Sequence, residues 1–240
     1  MPVDLVLSSG FLAFARHAGF LAAVEEAGLE VGALCGTSSG ALAAAMRAAD
    51  YSAAAIAAEL SAHRPIALIR PHGALWRGAL SLCAFVEHLR GLLPPRFEDL
   101  SHPLALGVRA PDGRARLLTS GALPEAVAAS CAIPWLFAAV RHEGTPYHDG
   151  GTVDRTGLAA FRAWRGPRPT LLHLVERTAG RDVDDDLSAV SVVRTPRSGA
   201  SFFSLGDFSG QAAEARARTA PVVAALVGAA GSTRDSSATT

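Results

Sequence analysis

The sequence predicts an α/β fold with parallel strands at its centre, and three observations carry that expectation. Val3-Asp4-Leu5-Val6-Leu7 is a short apolar strand, and from about Leu12 to Ala27 a helical stripe of Phe14, Ala18, Leu21 and Val24 follows, closed by Gly28. Leu29-Glu30 then leads into a second apolar strand, Val31 to Cys35, so the three pieces form a βαβ unit whose strands are parallel neighbours. Second, that strand runs into Gly36-Thr37-Ser38-Ser39-Gly40 and an alanine-rich helix, the strand-turn-helix context in which Gly-x-Ser-x-Gly presents a serine hydroxyl. Third, half of the 240 residues are apolar and only 18% are charged, enough for one well-packed core.

The remaining elements follow in order. The helix after Ser38 is expected to reach about Asp50, and Ser52 to His63 forms another, with Ile56 and Leu60 on one face. Residues 65–78 read as irregular. Ser81 to Leu93 is helical, with Leu82, Phe85, Leu89 and Leu92 facing inward and Pro94-Pro95 ending it. Leu104, Leu106 and Val108 alternate as in a strand; the turn Ala110-Pro111-Asp112-Gly113 returns it as a hairpin through Arg114 to Leu118. Pro124 suits the first turn of a short helix reaching Cys131. A hairpin-like stretch leads to Tyr147 and the turn His148-Asp149-Gly150-Gly151. Thr170 to Glu176 and Val190 to Val193 are late strands, and Gly210 to Val227 is a terminal helix. One domain is expected over residues 1–228, with the small, polar stretch 229–240 as a disordered tail.

Composition excludes several classes of function. Formal net charge is zero, with arginine the only basic residue besides histidine, so there is no electrostatic footprint for nucleic acid. Cys35, Cys83 and Cys131 are widely spaced and odd in number, which suggests neither a disulfide framework nor a zinc site and fits a reducing compartment. Asp4 sits where a secretory signal would carry positive charge, and no apolar run has the length of a membrane span. The expectation is a soluble, cytoplasmic protein.

Four stretches, in order, resemble the patatin-like phospholipase family: Leu5-Val6-Leu7-Ser8-Ser9-Gly10 with His17-Ala18-Gly19 and Glu25-Glu26-Ala27-Gly28; Gly36-Thr37-Ser38-Ser39-Gly40; Ala129-Ser130-Cys131-Ala132-Ile133-Pro134; and Asp149-Gly150-Gly151. The resemblance implies a three-layer α/β/α fold with a central, mostly parallel sheet. It implies hydrolysis of lipid acyl esters by a serine–aspartate dyad, with no metal and no cofactor. By position Ser38 matches the nucleophile and Asp149 its partner, with Gly150 and Gly151 as the turn that aims Asp149, and Gly36 and Gly40 as the elbow glycines. Backbone N–H groups of Gly10, Phe11 and Ser39 are the expected oxyanion donors. The chain departs from the family in the loop after the first strand. Three consecutive glycines are replaced by Ser9, Gly10 and Phe11, and a nearby basic-Gly pair by Ala13-Phe14. Trp135 stands where a small residue is common, and is expected to narrow the acyl pocket.

Other readings stay open at this level. His173, after Asp149 on the strand Leu171-Leu172-His173-Leu174, is the histidine placed to complete a Ser38–Asp149–His173 triad, although a histidine inside an apolar strand is more often a core residue. A non-catalytic lipid-binding protein with an eroded oxyanion loop is the alternative from another class. Asp182, Asp184, Asp185 and Asp186 lack the spacing of a calcium loop and read as a solvated segment. Leu75-Trp76 and Phe202-Phe203 are candidates for an acyl channel or for peripheral membrane contact, with core packing as the default.

Overall fold

In the computed structural model, which describes residues 1–73, 78–177 and 186–235, the chain opens with the expected βαβ unit. β1 (Val3–Leu7), α1 (Phe14–Glu26) and β2 (Val31–Thr37) lead into α2 (Ser39–Ala48) and α3 (Ala53–Ala62). A two-stranded ribbon of β3 (Arg70–Pro71) and β4 (Leu80–Ser81) precedes α4 (Cys83–Leu92). β5 (Leu104–Arg109) and β6 (Ala115–Leu118) form the hairpin, followed by α5 (Leu123–Ser130), β7 (Val140–His142) and β8 (Thr145–Asp149). The chain then makes α6 (Leu158–Arg165), β9 (Thr170–Val175), β10 (Ser191–Thr195) and α7 (Phe208–Asp235).

The main sheet is eight-stranded, in the order β10-β9-β1-β2-β5-β8-β7, with β6 also paired to β5. Strands β10, β9, β1, β2 and β5 run parallel; β6, β7 and β8 add antiparallel pairs at one side. Both faces of the parallel part are covered, which is why its strands read as near-continuous apolar runs. Leu5, Leu7, Leu34, Leu104, Leu106 and Val108 pack on the face carrying α1, α2 and α5. Val6, Ala33, Cys35, Ala105, Leu172 and Leu174 alternate with them and meet Leu158 and Phe161 of α6 on the other face. The result is the three-layer α/β/α arrangement.

Two features differ from expectation. α6 is absent from the sequence reading: it has eight residues, only Leu158 and Phe161 are buried, and glycines at positive φ, Gly157 and Gly166, bracket it. α7 continues to Asp235, beyond the point where disorder was expected to begin. Its first half docks on α1, where a Cβ at Gly19 would lie 2.0 Å from the Ala212 carbonyl oxygen and Arg16 pairs with Glu214 at 2.5 Å. Pro221 inside the helix cannot donate a backbone bond, and packing carries the helix past it: Val223 is buried in the main core and Val222 and Leu226 pack against it. Leu75, Trp76, Asp182, Asp184, Asp185 and residues 236–240 lie outside the described residues.

Candidate active site

Ser38 occupies the abrupt join between β2 and α2, with φ 57° and ψ −121°. Such a backbone costs a non-glycine residue on the order of 1–3 kcal/mol and persists only where its surroundings enforce it. The enforcement is visible at both elbow glycines. A Cβ at Gly36 would lie 2.4 Å from the Gly40 oxygen, and one at Gly40 would lie 2.3 Å from the Leu7 oxygen and 2.7 Å from that of Ser8. No side chain fits at either position, and their absence lets the elbow close against the end of β1. From the opposite side the Ser38 N–H donates to Ser130 Oγ at 2.9 Å, while the Ser130 hydroxyl donates to the Gly107 carbonyl at 2.7 Å. Cys131 Sγ completes the clamp, donating to the Ser38 carbonyl at 3.3 Å.

Asp149 reaches the elbow through strand register. β2 pairs with β5 as far as Thr37 opposite Gly107, and at the next position of β5, Val108, the partner is Asp149 of β8. β8 thus takes over the edge of β5 at the point where β2 turns away. The expected turn after Asp149 is a single 3-10 turn, Gly150–Thr152, capped by the aspartate itself. The Gly151 N–H donates to Asp149 Oδ1 at 2.7 Å, and the Thr152 hydroxyl donates to the Asp149 carbonyl at 2.9 Å. Close packing explains the glycine pair: a Cβ at Gly150 would sit 2.6 Å from the Gly107 backbone, and one at Gly151 would sit 2.6 Å from Ser9 Oγ.

The Asp149 carboxyl is only 4% exposed and faces the Ser38 side chain, whose hydroxyl favours its charged form. Burial pushes its pKa up from 3.8 to about 6, against the opposing influence of the Ser38 hydroxyl and the hydrogen bond from the Gly151 N–H. The group is therefore largely ionised at neutral pH yet close enough to its pKa to hold a proton transiently.

The loop between β1 and α1 keeps a defined path despite its missing glycines. The Ser9 N–H donates to the Arg155 carbonyl at 2.7 Å, and buried Arg155 returns Nη2 to the carbonyls of Ser9 at 3.1 Å and Val175 at 2.5 Å. Ser8 Oγ accepts from the Val175 N–H at 3.0 Å and donates to the Ser9 carbonyl at 3.2 Å, so this hydroxyl is engaged within the loop. The Ser39 hydroxyl donates to the Gly10 carbonyl at 2.7 Å, which joins the loop to the first turn of α2. The N–H groups of Gly10, Phe11 and Ser39 have no hydrogen-bond partner among the described residues. The Phe11 ring turns out of the loop and meets Phe202 edge-on at 5.3 Å.

Ser38, Ser39 and Cys131 open into an apolar cavity with about 900 Å³ of empty space, its open mouth included. Leu42, Leu60, Leu68, Ile69, Leu82 and Phe85 form much of its wall, drawn from elements far apart in sequence. Phe202 lines it, whereas Phe203 is exposed. Trp135 does not narrow this pocket as expected: with φ 70° and 91% exposure, its side chain stands in solvent.

His173 is separate from Ser38 and Asp149. Its Nδ1 lies 2.9 Å from His17 Nδ1, its Nε2 lies 2.9 Å from Thr195 Oγ1, and its ring stacks on Phe20. Burial drives its pKa well below the usual histidine value and that of His17 to about 3, so both imidazoles are neutral core groups. Sequence reading also missed Ser130 and Arg155. Ser130 stood within a stretch singled out by resemblance, but nothing local distinguishes a serine that clamps a distant backbone. Arg155, among polar loop residues, gives no sign that it is buried.

A family model described as patatin-like phospholipase matches residues 5–162. Among solved structures, VipD from Legionella pneumophila is similar with a TM-score of 0.55 at 14% identity, covering 95% of this chain and 67% of that one. ExoU from the type III secretion system of Pseudomonas aeruginosa, solved in complex with SpcU, matches with a TM-score of 0.49 at 14% identity over 92% of this chain. This chain spans about half of that ExoU chain, 52%. The matched span contains β1 with its loop, the Gly36–Gly40 elbow and the Asp149 turn, joined here in one site, and on that match the chain belongs to the patatin-like phospholipase family.

Proposed function

We propose that this chain is a serine lipid acyl hydrolase that cleaves fatty acyl esters of the phospholipid or lysophospholipid class through a Ser38–Asp149 dyad. The observation that carries this reading is the buried Asp149 carboxyl facing the side chain of Ser38, which sits on a strained turn that opens into an apolar pocket. In the first step Asp149 takes the hydroxyl proton as Ser38 Oγ bonds to the ester carbonyl carbon. The N–H groups of Gly10, Phe11 and Ser39 receive the developing oxyanion, aided by the positive end of the α2 dipole. Collapse expels the alcohol, which takes the proton from Asp149. Water then attacks the acyl-serine with the same base, releasing the fatty acid and restoring Ser38. A carboxyl group with a pKa of about 6 suits both directions of transfer.

Exposed apolar side chains support peripheral contact with a lipid surface during this reaction. Phe11 lines the pocket and is itself exposed, Ile66 and Phe203 adjoin the lining residues Pro65 and Phe202, and Trp135 lies between Ile133 and Phe137. All three cysteines are unpaired, consistent with a cytoplasmic setting. The non-catalytic alternative rests on Phe11 obstructing the loop, whereas the partner-free N–H groups of Gly10 and Phe11 favour turnover. Hydrolysis of a lysophospholipid and of p-nitrophenyl acyl esters tests the proposal. Wild-type protein is expected to release fatty acid and Ser38→Ala to release none; equal release by the two proteins, or none by folded wild type, overturns it.

A further inference from the structure

The pocket wall contains a second cluster of chemically capable side chains. Glu59 lies near the end of α3, and His63, four residues on, caps that helix, a spacing that brings two side chains to one side of a helix. His88 comes from α4, with Nε2 2.8 Å from Glu59 Oε1 and its ring edge-on to that of His63, centroids 5.3 Å apart. One donor atom from each of the three residues lies within 4.8 Å of the others, and all three line the cavity that begins at Ser38.

A helical hydrogen-bonded pair accounts for Glu59 and His88 alone. It does not account for His63, whose ring nitrogens have no hydrogen-bond partner among the described residues. Glu59 has no ion-pair partner other than His88 among them, so no arginine competes for the carboxylate. Two imidazoles and one carboxylate are a donor set suited to zinc rather than to magnesium or calcium, which prefer oxygen ligands. Bond lengths of about 2.0–2.2 Å place tetrahedral donors roughly 3.4 Å apart. The cluster brackets that spacing, from the 2.8 Å between Glu59 and His88 to the 4.8 Å limit of the set.

We propose that Glu59, His63 and His88 form a zinc-type divalent-cation site in the pocket wall, its fourth ligand supplied from the cavity by water or by the carboxylate of a free fatty acid. The ion ties α3 to α4 across the acyl pocket. The Ser38–Asp149 chemistry does not pass through it, and the site stands independently of the hydrolase reading.

The test is titration of the tag-free full chain with Co²⁺, followed through the visible bands of low-symmetry cobalt, and with Zn²⁺ by calorimetry. The proposal expects one tight site per chain for which Zn²⁺ displaces Co²⁺ and Mg²⁺ does not. His63→Ala removes an exposed side chain without touching the core, and should weaken Zn²⁺ binding by about a hundredfold, the upper end of what even an outer partner of a metal site is worth. Glu59→Gln should act likewise, and Cys83→Ala, which removes the exposed thiol on α4, should change nothing. Absence of tight binding to folded wild type, or binding that survives both His63→Ala and Glu59→Gln, overturns the assignment.

Discussion

Replacing Asp149 by asparagine should make the protein more stable and less active, with a pH dependence fixed by the buried carboxyl. Its pKa is about 6 in the folded chain against 3.8 for the unconstrained group, and burial is the main cause. Between these values the folded chain holds more protons than the unfolded one, so the free energy of unfolding falls as pH rises through the window. The separation, at 1.36 kcal/mol per pH unit, corresponds to about 3 kcal/mol of stability lost by wild type above pH 6. Asparagine has nearly the shape of the protonated acid and can still accept from the Gly151 N–H, but it carries no charge to desolvate. At about pH 8 Asp149→Asn should therefore exceed wild type by up to ~3 kcal/mol, or roughly 6–12 °C in Tm for a chain of this size. Near pH 3, below both values, the difference should vanish. Urea denaturation of both proteins across this range measures it, and the acyl-ester assay should show the opposite sign, with turnover lost in the variant. A stability difference independent of pH, or a less stable variant at pH 8, would refute the picture of Asp149 as a desolvated base poised near neutrality.

Three further perturbations address neighbouring parts of the site. Ser130→Ala leaves the Ser38 N–H and the Gly107 carbonyl without their hydroxyl partner, which should cost about 2 kcal/mol in urea denaturation and lower kcat by up to about a hundredfold through a loosened elbow. Leu60→Trp fills part of the cavity and should shift the preferred acyl chain to a shorter length in a p-nitrophenyl ester series; an unchanged profile would contradict its use as the acyl pocket. His173→Ala should lower stability by about 2–4 kcal/mol because it opens a cavity beside Phe20, while Ser38 keeps its reactivity. Loss of that reactivity in folded protein would support the triad instead.

Local spacing made the elbow legible. Gly36 and Gly40 flank a serine between an apolar strand and a helix, and the backbone demands that combination. Asp149 came into view only through family resemblance, since an Asp-Gly pair closes many ordinary turns. Its arrival at the elbow depends on β8 replacing β2 along β5, a register no local pattern records. The same non-local assembly hides Ser130, Arg155 and most of the pocket wall. The altered oxyanion loop looked disruptive because Phe11 replaces glycine, but the structure turns the ring toward Phe202 and pins the backbone with Arg155. α6 escaped notice because its eight residues bury only two side chains, and the extent of α7 because docking on α1 outweighs weak local preference.

The most direct measurement is covalent labelling of purified protein by a fluorophosphonate probe, with Ser38→Ala and Asp149→Asn as comparisons. An activated nucleophile with working oxyanion donors predicts strong labelling of wild type at pH 8, none in Ser38→Ala and little in Asp149→Asn. Folded wild-type protein that fails to label, or labelling that persists in Ser38→Ala, would contradict the Ser38–Asp149 dyad as the centre of this protein's chemistry.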